Sequence, residues 1–131
     1  MDKEHALRVV VDDYKDRPYI LGLNDCATLC ADYAGLLGFE HDWDRNSKRD
    51  SKDAIRVIFK ILGRNQLSEL EPRYQLGDIN LIKTENNNFC LGLRLGTGII
   101  TMVERSEVNG VFGEGLFLYE PDTPIKAAWR I

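Results

Sequence analysis

The spacing of apolar residues changes period once along this chain, and that change restricts the fold more than any other feature. In the first half the spacing is helical. Leu7, Val10, Val11 and Tyr14 mark one face, closed by Arg17-Pro18, because the residue before a proline is pushed out of the helical region. A second stripe of Cys26, Leu29, Cys30, Tyr33, Leu36 and Leu37 starts behind Asn24-Asp25, either of which can cap a helix, and stops at Gly38. A third runs from Ser51 through Ile55, Ile58, Phe59 and Leu62 to Gly63. From Gly77 onward the runs are short and β-rich: Ile79 to Lys83, Phe89 to Leu95 and Ile99 to Val103, separated by Glu85-Asn86-Asn87-Asn88 and Gly96-Thr97-Gly98. Further strands are expected at Val108 to Phe112, Leu116 to Tyr119 and Ile125 to Ile131, with Leu67 to Gln75 as the crossing between halves. Helices first and strands afterwards predict an α+β domain, with N-terminal helices packed on a C-terminal antiparallel sheet.

At 131 residues the chain is expected to be one domain, 1–131. Its 44% hydrophobic and 29% charged residues are globular averages, which excludes disorder and a coiled coil. The net charge is −4, and the densest basic stretch, Arg45 to Arg56, has Asp44, Asp50 and Asp53 interspersed, so no nucleic-acid partner is expected. No run approaches the ~20 apolar residues of a membrane span. Three cysteines, Cys26, Cys30 and Cys90, are an odd number and suit a reducing compartment. Cys26 and Cys30 lie one helical turn apart, which holds their Cβ atoms at ~5–6 Å, beyond disulfide reach. Neither His5 nor His41 stands at ligand spacing to them, so no metal and no cofactor are expected.

The informative point is Asn24-Asp25-Cys26, which puts a thiol at the first turn of a helix, where free N–H groups favour a thiolate. The same residue falls on the apolar stripe, and free cysteine is among the most buried residue types. A nucleophile also needs a base, and only His5 and His41 are available. His41 follows the far end of the cysteine helix, and about 12 helical residues span ~18 Å, so its loop would have to fold back the full length. Gly96-Thr97-Gly98 joins two strands and reads as a hairpin turn rather than a phosphate loop. Asp42, Asp44 and Asp50 lack the glycine and terminal glutamate of a calcium loop.

The order of an N-terminal helix, Asp25-Cys26 opening a helix, Gly77-Asp78-Ile79 starting a strand and Gly92-Leu93-Arg94-Leu95-Gly96 resembles the NlpC/P60 superfamily of papain-like cysteine peptidases and amidases. The resemblance covers residues 17 to 103, and Ala128-Trp129-Arg130 is similar to the close of short phage-encoded members. In that family the cysteine attacks a peptide carbonyl, a histidine at the start of the second strand takes its proton, and a polar residue on the next strand orients the histidine. The resemblance implies a papain-like fold with Cys26 in the nucleophile's place. Cys90 of Cys90-Leu91-Gly92 stands where the histidine belongs, and Thr101 or Met102 stands near the orienting position. Ala27-Thr28 replaces the family's Ser-Gly. A thiol in place of the base forfeits the roughly 10²–10⁴ in rate that general-base catalysis contributes.

The resemblance therefore implies a catalytically degenerate domain. The expected role is a tail-associated bacteriophage virion component, made in the host cytoplasm and acting by binding other phage structural proteins in an oligomeric assembly. Candidate binding residues are Phe39 and Trp43 in one segment and Phe112 and Phe117 in another, aromatics set among polar residues. The same aromatics could instead close the core. The alternative function is an active peptidase or amidase on cell-wall peptides, with Cys26 as nucleophile and another base. A third is a cytoplasmic assembly chaperone or enzyme inhibitor on the same fold.

Overall fold

Helix α1 (Lys3–Tyr14) starts where the Asp2 carboxylate accepts the His5 backbone N–H at 2.8 Å, and it buries Ala6, Leu7, Val10 and Tyr14. The computed structural model describes residues 1–21, 23–43, 51–68, 74–83, 89–103 and 115–131, the side chains of 51–55 excepted. Helix α2 (Cys26–Leu36) is capped by Asp25, whose carboxylate accepts the Thr28 N–H at 2.7 Å. Its other end closes as a Schellman motif. Gly38 takes φ +84°, its N–H donates to Gly35 O, and the Phe39 N–H reaches back to Ala34 O, both at 3.0 Å. Helix α3 (Ser51–Leu62) buries Ile58 and Leu62 and runs into a 3₁₀ turn at Gly63–Asn65.

Among the described residues the strands are β1 (Ile79–Lys83), β2 (Phe89–Leu95), β3 (Gly98–Met102), β4 (Leu116–Tyr119) and β5 (Ile125–Trp129). They form one antiparallel sheet in the order β4-β3-β2-β1-β5. The chain is thus α+β, helices first. The segment at Val108 to Phe112, expected as a strand, lies outside the described residues. Ile79 pairs with Leu93 and with Trp129, and Leu93 with Ile100, so these side chains share one face. That face joins Leu7, Leu29, Tyr33 and Leu62 in the main core. The alternate residues Asn80, Ile82, Cys90, Arg94, Ile99 and Thr101 are buried on the other face. Among the described residues no helix is long and apolar enough to cross a membrane.

Three contacts fix elements to one another, one of them across the two halves. Trp129 of β5 is fully buried and meets the Phe59 ring of α3 at 4.9 Å between centroids, while the Tyr14 hydroxyl donates to the Asp32 carboxylate between α1 and α2. Asp78, just before β1, is fully buried and accepts Arg130 Nε and Nη2, both at 2.9 Å, and the Gln75 N–H at 2.8 Å. A planar fork on a carboxylate is among the stronger charged pairs, and here it pins the entry of β1 to the exit of β5.

Gly77 precedes that carboxylate with φ +85°, and a Cβ there would run into the Tyr33 hydroxyl and come within 3.1 Å of Lys3 Cδ. The left-handed backbone and the collision act together. Gly77→Ala is expected to cost about 2–4 kcal/mol, read as a lower urea midpoint at unchanged slope.

Candidate functional site

The approach to Cys26 is built by a tight reversal. Ile20 bridges to Asn24, the Asn24 N–H donates to Ile20 O at 2.8 Å, and the Arg17 guanidinium donates to Asn24 Oδ1 at 3.3 Å. The reversal delivers Asp25 to the cap position and Cys26 to the first residue of α2. Cys26 is half-buried and packs on both cores: the main one, and a smaller cluster of Ile82, Cys90 and Ile99 on β1, β2 and β3. Its thiol lies against the Leu91 backbone N–H. Cys30, one turn further, is buried, and its thiol feels both Cys26 and Cys90. The structure therefore brings the nucleophile-like thiol to the residue that occupies the expected position of the base. No disulfide joins the three cysteines.

The electrostatics run against a thiolate. Burial pushes the Cys26 thiol from its ordinary 9.0 up to about 12; the nearby carboxylate of Asp25 raises it too, and the N–H groups of Leu91 and Ala27 oppose without prevailing. Cys30 is raised as well, first by burial and then by Cys26 and Cys90. Tyr33, whose hydroxyl is buried without a partner, is also raised, by burial and then by Asp78.

Among the described residues, neither histidine nor the expected orienting positions supply a base at the thiol. Thr101 is fully buried and its hydroxyl donates to Leu91 O at 2.6 Å, so it ties β3 to β2. Met102 lies in the main core. His5 is exposed on α1. His41 is placed differently from the sequence reading, which kept its loop at the far end of α2. The loop does fold back. The His41 ring accepts the Trp43 N–H at Nδ1, 3.2 Å, which leaves the proton on Nε2, and Nε2 donates to Ala31 O at 2.9 Å. Trp43 then reaches Thr28, its indole N–H donating to Oγ1 at 3.2 Å. The return stops there. His41 stands beside Ala31, more than one helical turn past Cys26, with both ring nitrogens engaged.

The binding candidates are spread over the molecule. Phe39 and Trp43 are half-buried and pack against the main core. Phe117 is half-buried on β4, an end strand of the sheet, with its ring edge-on to Tyr119 at 4.8 Å. Phe112 lies outside the described residues. Two features escaped the sequence reading. Ile20, Leu21 and Leu23 stand out from the reversal before Cys26, 44%, 41% and 38% exposed. The clue was three large aliphatics between Pro18 and Asn24 with neither helical nor alternating spacing. An open groove of about 440 Å³ lies between α1 and the β2–β3 turn, lined by Leu7, Val11, Leu76 and Leu95.

Compared with known proteins, the chain matches no family model, and no curated protein or solved structure matches it significantly.

The raised thiols fix how stability depends on pH. Below 9.0 both states keep the Cys26 proton; between 9.0 and about 12 the unfolded chain releases it and the folded chain does not, so stability falls as pH rises. Cys30 acts in the same direction. Cys26 alone is expected to contribute a loss of about 1.4 kcal/mol per pH unit in that window. Urea midpoints measured at neutral and alkaline pH check this, and Cys30→Ala should flatten the alkaline slope.

Proposed function

We propose that this chain is a catalytically degenerate domain of the NlpC/P60 type, papain-like in fold, that serves as a tail-associated component of a bacteriophage virion. It works by binding neighbouring structural proteins in an oligomeric assembly and is made in the host cytoplasm before incorporation. The observation that carries the reading is the packing of Cys26 against the Cys90 cluster. Cys26 stands where the resemblance puts the nucleophile, and the residue in the cluster beside it that the resemblance aligns with the base is a cysteine. A peptidase of this kind needs an imidazole there to accept the proton. A thiol that burial pushes up to about 12, packed beside Ile82, Cys90 and Ile99, meets no imidazole in that cluster.

Binding then falls to the surface. The apolar turn at Ile20, Leu21 and Leu23 and the aromatic pair Phe117 and Tyr119 on end strand β4 offer the kind of anchors that interfaces use. The phage assignment rests on the run Ala128-Trp129-Arg130, which is similar to a run in virus-encoded members of the superfamily.

Two measurements test the reading. Incubation with peptidoglycan stem peptides is expected to give no Cys26-dependent cleavage, and mass spectrometry of purified particles is expected to find the chain in a fixed ratio to other tail proteins. Turnover abolished by Cys26→Ser would establish the active peptidase instead. Presence in infected-cell lysate with absence from particles would point to an assembly chaperone.

A further inference from the structure

The sheet face turned away from the helices carries a buried polar cluster that the thiol site does not use. Arg130, Asp78 and Arg94 lie in one row across β5, β1 and β2, because the ladder that pairs Ile79 with Trp129 and Leu93 continues one residue outward, with the Arg94 N–H donating to Asp78 O at 2.9 Å. The Asp78 carboxylate is fully engaged by Arg130 and the Gln75 N–H. Arg94 is only 8% exposed, yet its side-chain hydrogen bonds to the described residues go to an amide and a carbonyl oxygen, not to a carboxylate. Its Nε donates to Asn80 Oδ1 at 3.0 Å, its Nη1 donates to Pro121 O at 2.9 Å, and the Tyr74 ring lies 4.8 Å from its guanidinium carbon.

Two donors are left over. Arg94 Nη2 and Asn80 Nδ2 are both buried without a hydrogen-bond partner. They belong to side chains bonded directly to each other, and rotating the Asn80 amide does not help, since it would set NH₂ against the Arg94 Nε–H. Among the described residues the Asp78 carboxylate is taken by Arg130, so the guanidinium of Arg94, largely closed to water, has no hydrogen-bonded carboxylate of its own. Buried donors and buried charges of native proteins are nearly always matched, and an orphaned pair points to a missing acceptor.

We propose that Arg94 and Asn80 form a binding site for a single carboxylate group, whose oxygens accept from Arg94 Nη2 and Asn80 Nδ2. A carboxylate fits better than a spherical anion because it presents acceptors in one plane, matching the planar guanidinium and amide, and supplies a negative charge to the Arg94 guanidinium. Tyr74, half-buried across the guanidinium, is the side chain that shifts to admit it. The carboxylate belongs either to a small organic acid or to an aspartate or glutamate of a neighbouring chain. The site stands independently of the thiol chemistry.

The test is proton–nitrogen NMR of the intact chain during titration with sodium acetate, with sodium chloride at matched ionic strength as control. Saturable shifts of the Arg94 Nε–H and the Asn80 side-chain NH₂ are expected with acetate and not with chloride. Asn80→Ser, which keeps an oxygen for Arg94 Nε, should weaken the response at least about tenfold, the loss of one charge-assisted bond. Arg94→Met should abolish it, and the wild-type titration stands even if that variant fails to fold. A blocked tripeptide carrying one glutamate separates the sources: response to both probes supports a side chain of a neighbour, and response to acetate alone supports a small acid. No saturable shift with either probe, or an equal shift with chloride, overturns the proposal and leaves a buried water as the partner of both donors.

Discussion

Helix α2 is apolar on almost every side, and a helix of that kind has to be enclosed. Ala27, Leu29, Cys30, Ala31, Tyr33 and Ala34 are all buried, so the helix cannot lie on a surface with one face in water. Helix α1 covers it on one side, α3 on another, and β2 forms the floor. Fully burying a side chain such as Leu29 is worth about 1.5–3 kcal/mol, which makes this enclosure a large share of the stability of a domain this size. The rest of the arrangement follows from it. The Schellman close at Gly38 turns the chain back along the helix, and the Asp25 cap sets the first turn of the helix against β2.

That seating decides the character of Cys26. A helix N-terminus stabilises a nearby anion by about 0.3–1 kcal/mol, and up to ~2 where geometry is favourable. Raising the thiol from 9.0 to about 12 corresponds to roughly 4 kcal/mol in the opposite direction. Desolvation wins. The same position that activates a thiol when its cleft is open silences it when Ile82, Cys90 and Ile99 fill the space beside it. An imidazole at the position of Cys90 would change both sides of that balance, by polarity and by charge.

The local grammar was legible in the residues. The cap at Asp25, the stop at Gly38 and the β-rich runs between turn residues at β1 to β3 each follow from residues acting on their own neighbourhood, and such signals survive folding. The readings that fell short concern groups far apart in the chain. His41 reaches Ala31 through a loop whose path no spacing specifies, so the expected distance from Cys26 was too large. Arg130 meets Asp78 across 52 positions, and Arg94 passed as one polar residue within Gly92-Leu93-Arg94-Leu95-Gly96. A charge at a strand position flanked by leucines was the available hint, because both faces of a central strand are covered and such a charge must find partners inside.

The central claim is that Cys26 is a packed thiol rather than a poised nucleophile, and its own titration tests this most directly. With cysteine labelled at Cβ with carbon-13, the Cys26 resonance follows the thiol through its ionisation. The account predicts no step between about pH 6 and pH 10, where an unperturbed thiol would titrate in full view. A step centred below about pH 8 would show a stabilised thiolate and contradict the account.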